Sequence, residues 1–220
     1  VLAAEPDRLT CDLLERALAD ALKEHAALHK QYLPLEPLEG PHLRFPLILV
    51  SQPFRNLRDF HNYTVRLRAS SKYTDDLIVN LRKGVSLGIT APRMPIEKVI
   101  PQIRLHVVED VTKSEFFKPV ASASTLSESD RKTVETEVSD AIHSSIVPSY
   151  RKLLDYVEKE YLPTTRDAVG IGAVPGGDKM YAELAALSAT VPVVAEDVHQ
   201  LGLSEVARIR EAMARIQKEV

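Results

Sequence analysis

The sequence has no tryptophan, one cysteine and only eight glycines, and each shortage excludes a class of protein. A single cysteine, Cys11, can supply neither an internal disulfide framework nor a cysteine-based zinc site. Beside Leu13 and Leu14 on a predicted helix, Cys11 is either a small buried residue or a surface residue. The scarcity of glycine disfavours a turn-rich β architecture, and aromatic residues at 5% leave a core built mainly from Leu, Val, Ile and Ala.

Long apolar segments are also missing. The longest apolar run covers residues 45–50 and contains Pro46, whereas a transmembrane helix needs about 20 apolar residues. No signal peptide is recognisable in a chain that begins at Val1 without a methionine. We therefore predict no membrane span, and the compartment stays open.

Helical periodicity dominates what is present. Ser127 with Asp130 is typical of a capped helix start, and Pro148 predicts a kink or split within a long helix. Five prolines within 33–53 exclude an ordinary helix there, so we expect an ordered loop that packs on the rest of the chain. Because no β alternation or internal repeat occurs, the predicted fold class is all-α, an irregular multi-helix array with a proline-rich ordered loop. Apolar residues at intervals of three and four predict these helices: 7–32, 57–69, 73–87, 95–108, 127–161 and 179–190.

The last segment, 196–220, predicts a short helical turn, a stop at Gly202, a Ser204 cap and then an amphipathic helix. The apolar face of this helix has residues spaced 3, 4, 3 and 4 apart: Val206, Ile209, Met213, Ile216 and Val220. No Gly, Asn or Pro follows the last apolar position to end the helix. We therefore expect the chain to be part of a longer polypeptide. We also expect this face to be under-buried in the chain alone, or covered by a second copy.

Charge is unevenly distributed, although the whole chain carries a net charge of only −3. Residues 55–104 contain ten lysines and arginines against four acidic residues, which gives this stretch a net charge of +6. The stretch lacks interleaved aromatic residues and the rest of the chain is acidic, so we predict no nucleic-acid partner. Two interpretations stay open: a solvated helix surface, or a groove for an acidic ligand or a C-terminal carboxylate. The candidate substrate-binding residues are Arg82, Lys83, Arg93 and Lys98, although cations near a helix end also stabilise the helix dipole.

Three sequence patterns are candidates for a catalytic, phosphate-binding or metal site, and none matches the motif that such a site needs. Glu24-His25-x-x-x-His29 places the glutamate before the first histidine, whereas a zincin helix needs His-Glu-x-x-His. The glycine-rich segment 170–180 does not match a phosphate-binding loop because no Ser or Thr follows Lys179, and a turn with glycine at positive φ is expected instead. No serine lies in a Gly-x-Ser-x-Gly elbow. We predict no catalytic residue, no metal ligand and no cofactor in this chain.

Four segments together resemble the bacterial family labelled "domain of unknown function 885". They are, in order along the chain, LEGPHLRFPLILVSQPFRNLRDFHNYTVRL, NLRKGVSLGITAPRMPIEKVIPQI, IVPSYRKLLDYVEKEYLP and EDVHQLGLSEVARIREAM. The resemblance covers essentially the whole chain. Its most specific parts are EYLP with the loop that follows it, and HQLGLSEVARI.

The resemblance implies a mostly helical, zincin-like protein related to gluzincin-type zinc metallopeptidases, far longer than this chain and in many members exported or lipid-anchored. It further implies that this chain is the N-terminal to middle portion, with the zinc helix beyond Val220. The chain would then be one helical segment of a larger domain, divided into 1–54, 55–126 and 127–220. Its expected partners are the remainder of its own polypeptide and a peptide substrate, and zinc is expected only in the full-length protein. The alternative is a helical binding or interaction module without catalytic activity, and the oligomeric state stays open.

Overall fold

The computed structural model describes residues 5–47 and 51–219. Contacts within the chain divide it into two compact units, one of Lys30–Val169 and one of Val1–His29 with Gly170–Val220. We call the first the central unit and the second the terminal unit. The three-part division expected from the sequence stays a prediction.

All regular secondary structure in the described residues is helical, which confirms the all-α class. No residue within 5–47 or 51–219 lies in a β-strand, and an isolated bridge joins Pro92 to Arg166. In this part of the chain no helix has the length and apolarity needed to cross a membrane.

Nine α-helices can be assigned in the described residues, of which α1, α8 and α9 belong to the terminal unit. They are α1 Glu5–Leu28, α2 Pro41–Arg44, α3 Leu57–Arg68, α4 Ser70–Ser86, α5 Arg93–Arg104, α6 Glu128–Ala141, α7 Val147–Tyr156, α8 Gly177–Ala189 and α9 Ala195–Glu219. Two π-helical turns, Ile142–Ile146 and Val157–Tyr161, flank α7. Short 3₁₀ helices lie at Lys30–Tyr32, Val111–Lys113, Glu115–Thr125, Leu162–Thr164 and Ile171–Ala173.

The continuous run from α6 to the second π turn forms the spine of the central unit. Its predicted apolar face is buried as the periodicity indicated, including Val138, Ile142, Ile146 and Tyr161 with no exposed surface. Helix α3 packs on α6, while α4 and α5 pack on α7. Full burial of one such aliphatic side chain stabilises the fold by about 1.5–3 kcal/mol, so this spine supplies much of the stability of the unit.

Two local sequence signals in the spine are confirmed. The Asp130 N–H donates to Ser127 Oγ at 3.1 Å, so Ser127 is the N-cap of α6. Pro148 has no N–H to donate, and the helix widens into the π turn Ile142–Ile146 immediately before α7 begins. The helical run therefore continues past Pro148, with its regular α geometry interrupted by the π turn beside the proline.

The proline-rich loop packs on the rest of the central unit at some of its described residues, as expected. Leu35 is 2% exposed, and His42 within the short helix α2 is buried. Leu47, by contrast, is exposed, and the predicted apolar positions 48–50 lie outside the described residues. The connector 109–126 also contributes to the core, because Phe116 is fully buried.

Two predicted helix ends are wrong. The first helix ends at Leu28 rather than at residue 32, because His29 takes a left-handed backbone conformation with φ of 46° before a 3₁₀ turn. The predicted helix 95–108 is α5, which ends at Arg104. There the His106 N–H donates to the Ile103 carbonyl, a tighter i to i+3 bond that turns the His106 ring into the core.

In the terminal unit, the glycine-rich segment 170–180 forms the turn that opens α8, as expected. Gly176 has φ of 74°, a left-handed conformation that favours glycine. Gly177 allows a close approach, because a Cβ at that position would lie 1.9 Å from the Ile171 carbonyl oxygen. These glycines therefore serve the turn itself.

The predicted break at Gly202 is wrong. Helix α9 runs without interruption from Ala195 to Glu219, and Gly202 does not have a positive φ. The Ser204 hydroxyl is not a cap, because it donates to the Leu201 carbonyl of the preceding turn at 2.8 Å. A glycine within a helix costs only about 0.5–1 kcal/mol relative to alanine, which the helix-forming residues around it outweigh.

The under-buried face predicted for the last helix is confirmed at four of its five positions. Val206, Ile209, Met213 and Ile216 are 48%, 47%, 64% and 61% exposed, and Val220 lies outside the described residues. Helix α1 in the same unit also exposes a row of leucines: Leu9, Leu13, Leu14, Leu18 and Leu22. Cys11 is exposed, so the surface interpretation of this cysteine is the correct one.

Candidate functional site

A groove of about 530 Å³ runs along the central unit where α4 faces α7 and the π turn that follows α7. The sequence brings these elements together because α4 buries Leu77, Ile78 and Leu81 on one face. Exposed Val79 and buried Tyr156 supply apolar surface in the groove. Its polar lining consists of Asp75, Arg82, Arg151, Lys152, Asp155, Lys159 and Glu160.

The three acidic side chains of the groove are each paired with a cation. Lys152 Nζ lies 2.5 Å from Asp75 Oδ1, and Lys159 Nζ lies 2.8 Å from Asp155 Oδ1. Glu160 accepts from Arg82. Within the described residues, Arg151 is the groove cation that has no ion pair. The groove therefore carries one uncompensated positive charge.

Arg82 is held in place from two sides. Its Nη2 lies 2.9 Å from both carboxylate oxygens of Glu160, and its guanidinium carbon lies 5.1 Å from the centre of the Tyr156 ring. Burial raises the pKa of Tyr156 to about 12, an effect that the nearby Arg82 charge opposes. The Nη1 donors of Arg82 have no hydrogen-bond partner among the described residues. Arg82 itself lines the groove.

The other three predicted substrate-binding residues lie outside this groove. Lys83 on α4 and Lys98 on α5 are exposed, and neither has an ion pair within the part of the chain that is described. Arg93 begins α5, where it pairs with Glu97 at 3.5 Å and with Asp167 at 3.9 Å. Of the four predicted cations, the structure thus places Arg82 in the groove, and a binding role for any of them stays a prediction.

The charge distribution along the sequence does not identify Arg151 as a candidate binding residue. It lies in a stretch, 109–160, where acidic residues outnumber basic ones, and this balance concealed it. Helical periodicity could have indicated its exposure. Tyr150 and Leu153 define a buried helix face, and Arg151 lies on the opposite, solvated face.

A second cluster of polar groups, around two buried histidines, is structural. The Gln102 amide donates to the Pro37 carbonyl, so its oxygen is left to accept from His42 Nε2 at 2.9 Å. Burial lowers the pKa of His42 and of His106, whose rings are both removed from water. The neutral His42 ring thereby attaches the proline-rich loop to α5.

The described residues do not gather a zinc-binding set of side chains. Across 5–47 and 51–219, no three His, Cys, Asp or Glu side chains come close enough together to hold a metal ion. His25 and His29, the two histidines at metal-ligand spacing, belong to no such group.

All 220 residues match the family model described as "Bacterial protein of unknown function (DUF885)". No functionally curated protein matches the chain. Among solved structures, the "putative lipoprotein" of Colwellia psychrerythraea is similar, with a TM-score of 0.75 and 20% sequence identity over 82% of this chain.

The likeness to the Colwellia psychrerythraea protein concerns the fold alone, given the low identity. This chain covers 32% of the length of that protein. Most of this helical fold therefore also occurs within a much longer polypeptide. The match of the family model over residues 1–220 shows that the chain belongs to the bacterial DUF885 family.

Proposed function

We propose that this chain forms a non-catalytic, substrate-binding part of a zinc-dependent, peptidase-like hydrolase. In this proposal the zinc motif lies in another part of the same polypeptide. The observation that carries the proposal is the groove between α4 and α7, with one uncompensated cation, Arg151, and a fixed guanidinium, Arg82, over an aromatic ring. Support for a longer polypeptide comes from the Colwellia psychrerythraea protein, of which this chain spans about a third.

The groove has the chemistry to bind a carboxylate of a peptide substrate. Arg151 and the free Nη1 donors of Arg82 offer charge-assisted hydrogen bonds, which suit a C-terminal or acidic side-chain carboxylate. Val79 and Tyr156 offer apolar contact beside these donors. The fixed position of Arg82 reduces the side-chain entropy that is lost when a ligand binds.

The first test is the reading frame that encodes the chain. A frame that continues past Val220 and encodes His-Glu-x-x-His supports the proposal. A natural stop codon after Val220 contradicts it and favours the alternative of a helical binding module without catalysis.

The second test concerns the groove in the complete protein. With a peptide substrate that ends in a free carboxylate, Arg151→Gln is expected to raise KM about 3- to 10-fold with little change in kcat, because a binding contact is lost equally from ground and transition states. Arg131→Gln on α6 is the matched control, since Arg131 is also an exposed helical arginine of the central unit but lies outside the groove. If Arg151→Gln and Arg131→Gln change KM equally, the groove does not bind the substrate carboxylate.

An alternative function is favoured by a different observation. The terminal unit exposes large apolar residues on both α1 and α9, which is typical of protein-binding surfaces. A binding module without activity would hold its partner without hydrolysing it, and its gene would lack the zinc motif. Binding of a peptide or protein by the complete gene product, with no cleavage over many hours, supports this alternative.

An exported, lipid-anchored location is part of the same proposal. It is supported by the family resemblance and by the description of the Colwellia psychrerythraea protein as a "putative lipoprotein". Incorporation of radiolabelled palmitate into the native protein in cells, with recovery in the membrane fraction, is the expected result. Recovery only in the cytoplasmic fraction contradicts the location.

A further inference from the structure

Helix α9 of the terminal unit carries an apolar face that nothing in the described chain covers. Val198, Val206, Ile209, Met213 and Ile216 lie on this face and are each between 47% and 64% exposed. At 1.5 Å per residue, the face extends for about 27 Å along the helix. A soluble chain rarely exposes so long a row of large aliphatic residues unless another surface packs on it.

Gly202 lies in the middle of this face. It is four residues after Val198 and four before Val206, so at 100° per residue it shares their side of the helix. Its backbone needs no glycine, because it has no positive φ, and a Cβ added there would meet nothing within 4 Å. A glycine on an apolar helix face serves one further purpose, which is to let another backbone approach closely.

We propose that an α-helix from the remainder of the polypeptide crosses α9 at Gly202 and covers the apolar face. This inference rests on the proposed function, in which the chain is part of a longer polypeptide. The length of the Colwellia psychrerythraea protein supports such an occupant, because about two-thirds of that protein lies outside the part covered by this chain.

The charges on α9 favour a protein occupant over a lipid surface. The helix carries acidic residues at 196, 197, 205, 211 and 219 and basic residues at 208, 210, 215 and 218. An interfacial membrane helix has a polar face rich in Lys and Arg, whereas this mixture would repel anionic headgroups as well as attract them. The apolar side chains of a crossing helix would pack beside Gly202 and against Ile209 and Met213.

Cysteine labelling tests this contact. In a Cys11→Ser background, which removes the chain's own cysteine, Met213→Cys places a thiol on the face and Ala214→Cys places one at the adjacent position off the face. In the 220-residue chain, both thiols should react with a maleimide at rates within about twofold, since both positions are exposed. In the complete protein, labelling at 213 should slow at least tenfold while labelling at 214 changes by less than threefold.

A second substitution separates docking from misfolding. Gly202→Leu places a large side chain where the crossing helix would approach the α9 backbone. It should therefore restore fast labelling at 213 in the complete protein and leave the labelling rate of the 220-residue chain unchanged. A complete protein that contains the zinc motif but labels equally fast at 213 and 214 overturns the inference and leaves the proposed function standing. Protection at 213 that appears in the 220-residue chain and grows with its concentration also overturns it, because the occupant is then a second copy. A reading frame that ends at Val220 overturns both proposals.

Discussion

The central and terminal units contain equally regular amphipathic helices but bury them to very different extents. In the central unit, α3 to α7 direct their apolar faces onto one another, and residues such as Leu81, Ile103 and Ile142 have no exposed surface. In the terminal unit, Val174 and Met180 are the buried large apolar residues among the described positions, while the leucines of α1 and the aliphatic face of α9 are exposed. The same 3.6-residue pattern therefore gives a packed core only where the chain supplies the opposing surface.

This difference has an energetic meaning. Helices in proteins owe most of their stability to packing of the apolar face rather than to intrinsic propensity. Helices α1 and α9 lack most of that packing here, so their stability depends on whatever covers them. The central unit should be the stable part of the chain, and the terminal unit the part that responds to a partner.

A matched pair of leucine substitutions tests the comparison with the largest expected effect. Leu81→Ala in α4 removes a fully buried side chain and should lower the free energy of unfolding by about 2–5 kcal/mol. Leu18→Ala in α1, where the side chain is 57% exposed, should change it by less than about 0.5 kcal/mol. Urea unfolding followed by far-ultraviolet circular dichroism is suitable, because the regular structure described in both units is helical and both units therefore contribute to the signal. Equal losses would show that α1 is buried after all.

Removal of one buried hydroxyl gives the next largest effect. The Ala91 N–H donates to Tyr161 Oη at 3.0 Å within the core. Tyr161→Phe leaves this N–H without a partner and should cost about 1–3 kcal/mol. Tyr181→Phe on α8, at a 54% exposed position, is the control and should be nearly neutral in the same urea experiment. No loss for Tyr161→Phe would mean that the amide finds another acceptor.

Acidification should destabilise the central unit. Burial lowers the folded-state pKa of His42 and His106 below the unfolded value of 6.5, with Glu36 and Glu115 opposing the shift. The unfolded chain then binds more protons between the folded and unfolded pKa values, so stability is intact above pH 6.5 and falls as the pH drops below it. The slope is at most about 1.4 kcal/mol per pH unit for each histidine.

The urea midpoint between pH 5 and pH 8 measures this slope. His106→Gln should remove the part of the pH dependence of stability that His106 contributes, because the neutral amide does not titrate. A midpoint that is independent of pH in the unsubstituted protein contradicts the proposed neutral, buried state of the two rings.

Two serines that look alike in the sequence provide the smallest effects. Ser127 caps α6, so Ser127→Ala should cost about 1 kcal/mol. Ser204 lies inside α9, so Ser204→Ala should be neutral or raise the helicity slightly, because alanine is the better helix former. Circular dichroism and urea unfolding of both variants measure the contrast. A clear loss of helicity or stability in Ser204→Ala would show that Ser204 does cap a helix, as the sequence predicts.

Local features were predictable where the determining residues are close in sequence. The Ser127 cap, the interruption at Pro148 and the start of α3 at Leu57 each depend on neighbours within a few positions. The break at Gly202 was not predictable in the same way. A glycine and a following serine suggest that a helix ends and a new one begins. Whether the helix continues through them depends on the summed helix propensities of the residues along α9.

The candidate site was less predictable than the fold. Arg82 and Glu160 are 78 residues apart, and the sequence does not indicate that one binds the other. The groove exists because α4 packs on α7, and that packing depends on the faces of both helices rather than on any motif. Arg82 was identified from local charge, whereas Arg151 became visible only once the opposing helices were placed.

Amide hydrogen exchange of the 220-residue chain, read by mass spectrometry on peptides from both units, tests the contrast between them most directly. We expect amides of α6 and α7 to exchange on the order of 100-fold more slowly than those of α9, because buried helices open only with the unit while an unsupported helix opens by itself. Protection in α9 equal to that in α6 and α7, at protein concentrations where the chain is monomeric, would contradict the account that its apolar face lacks a partner.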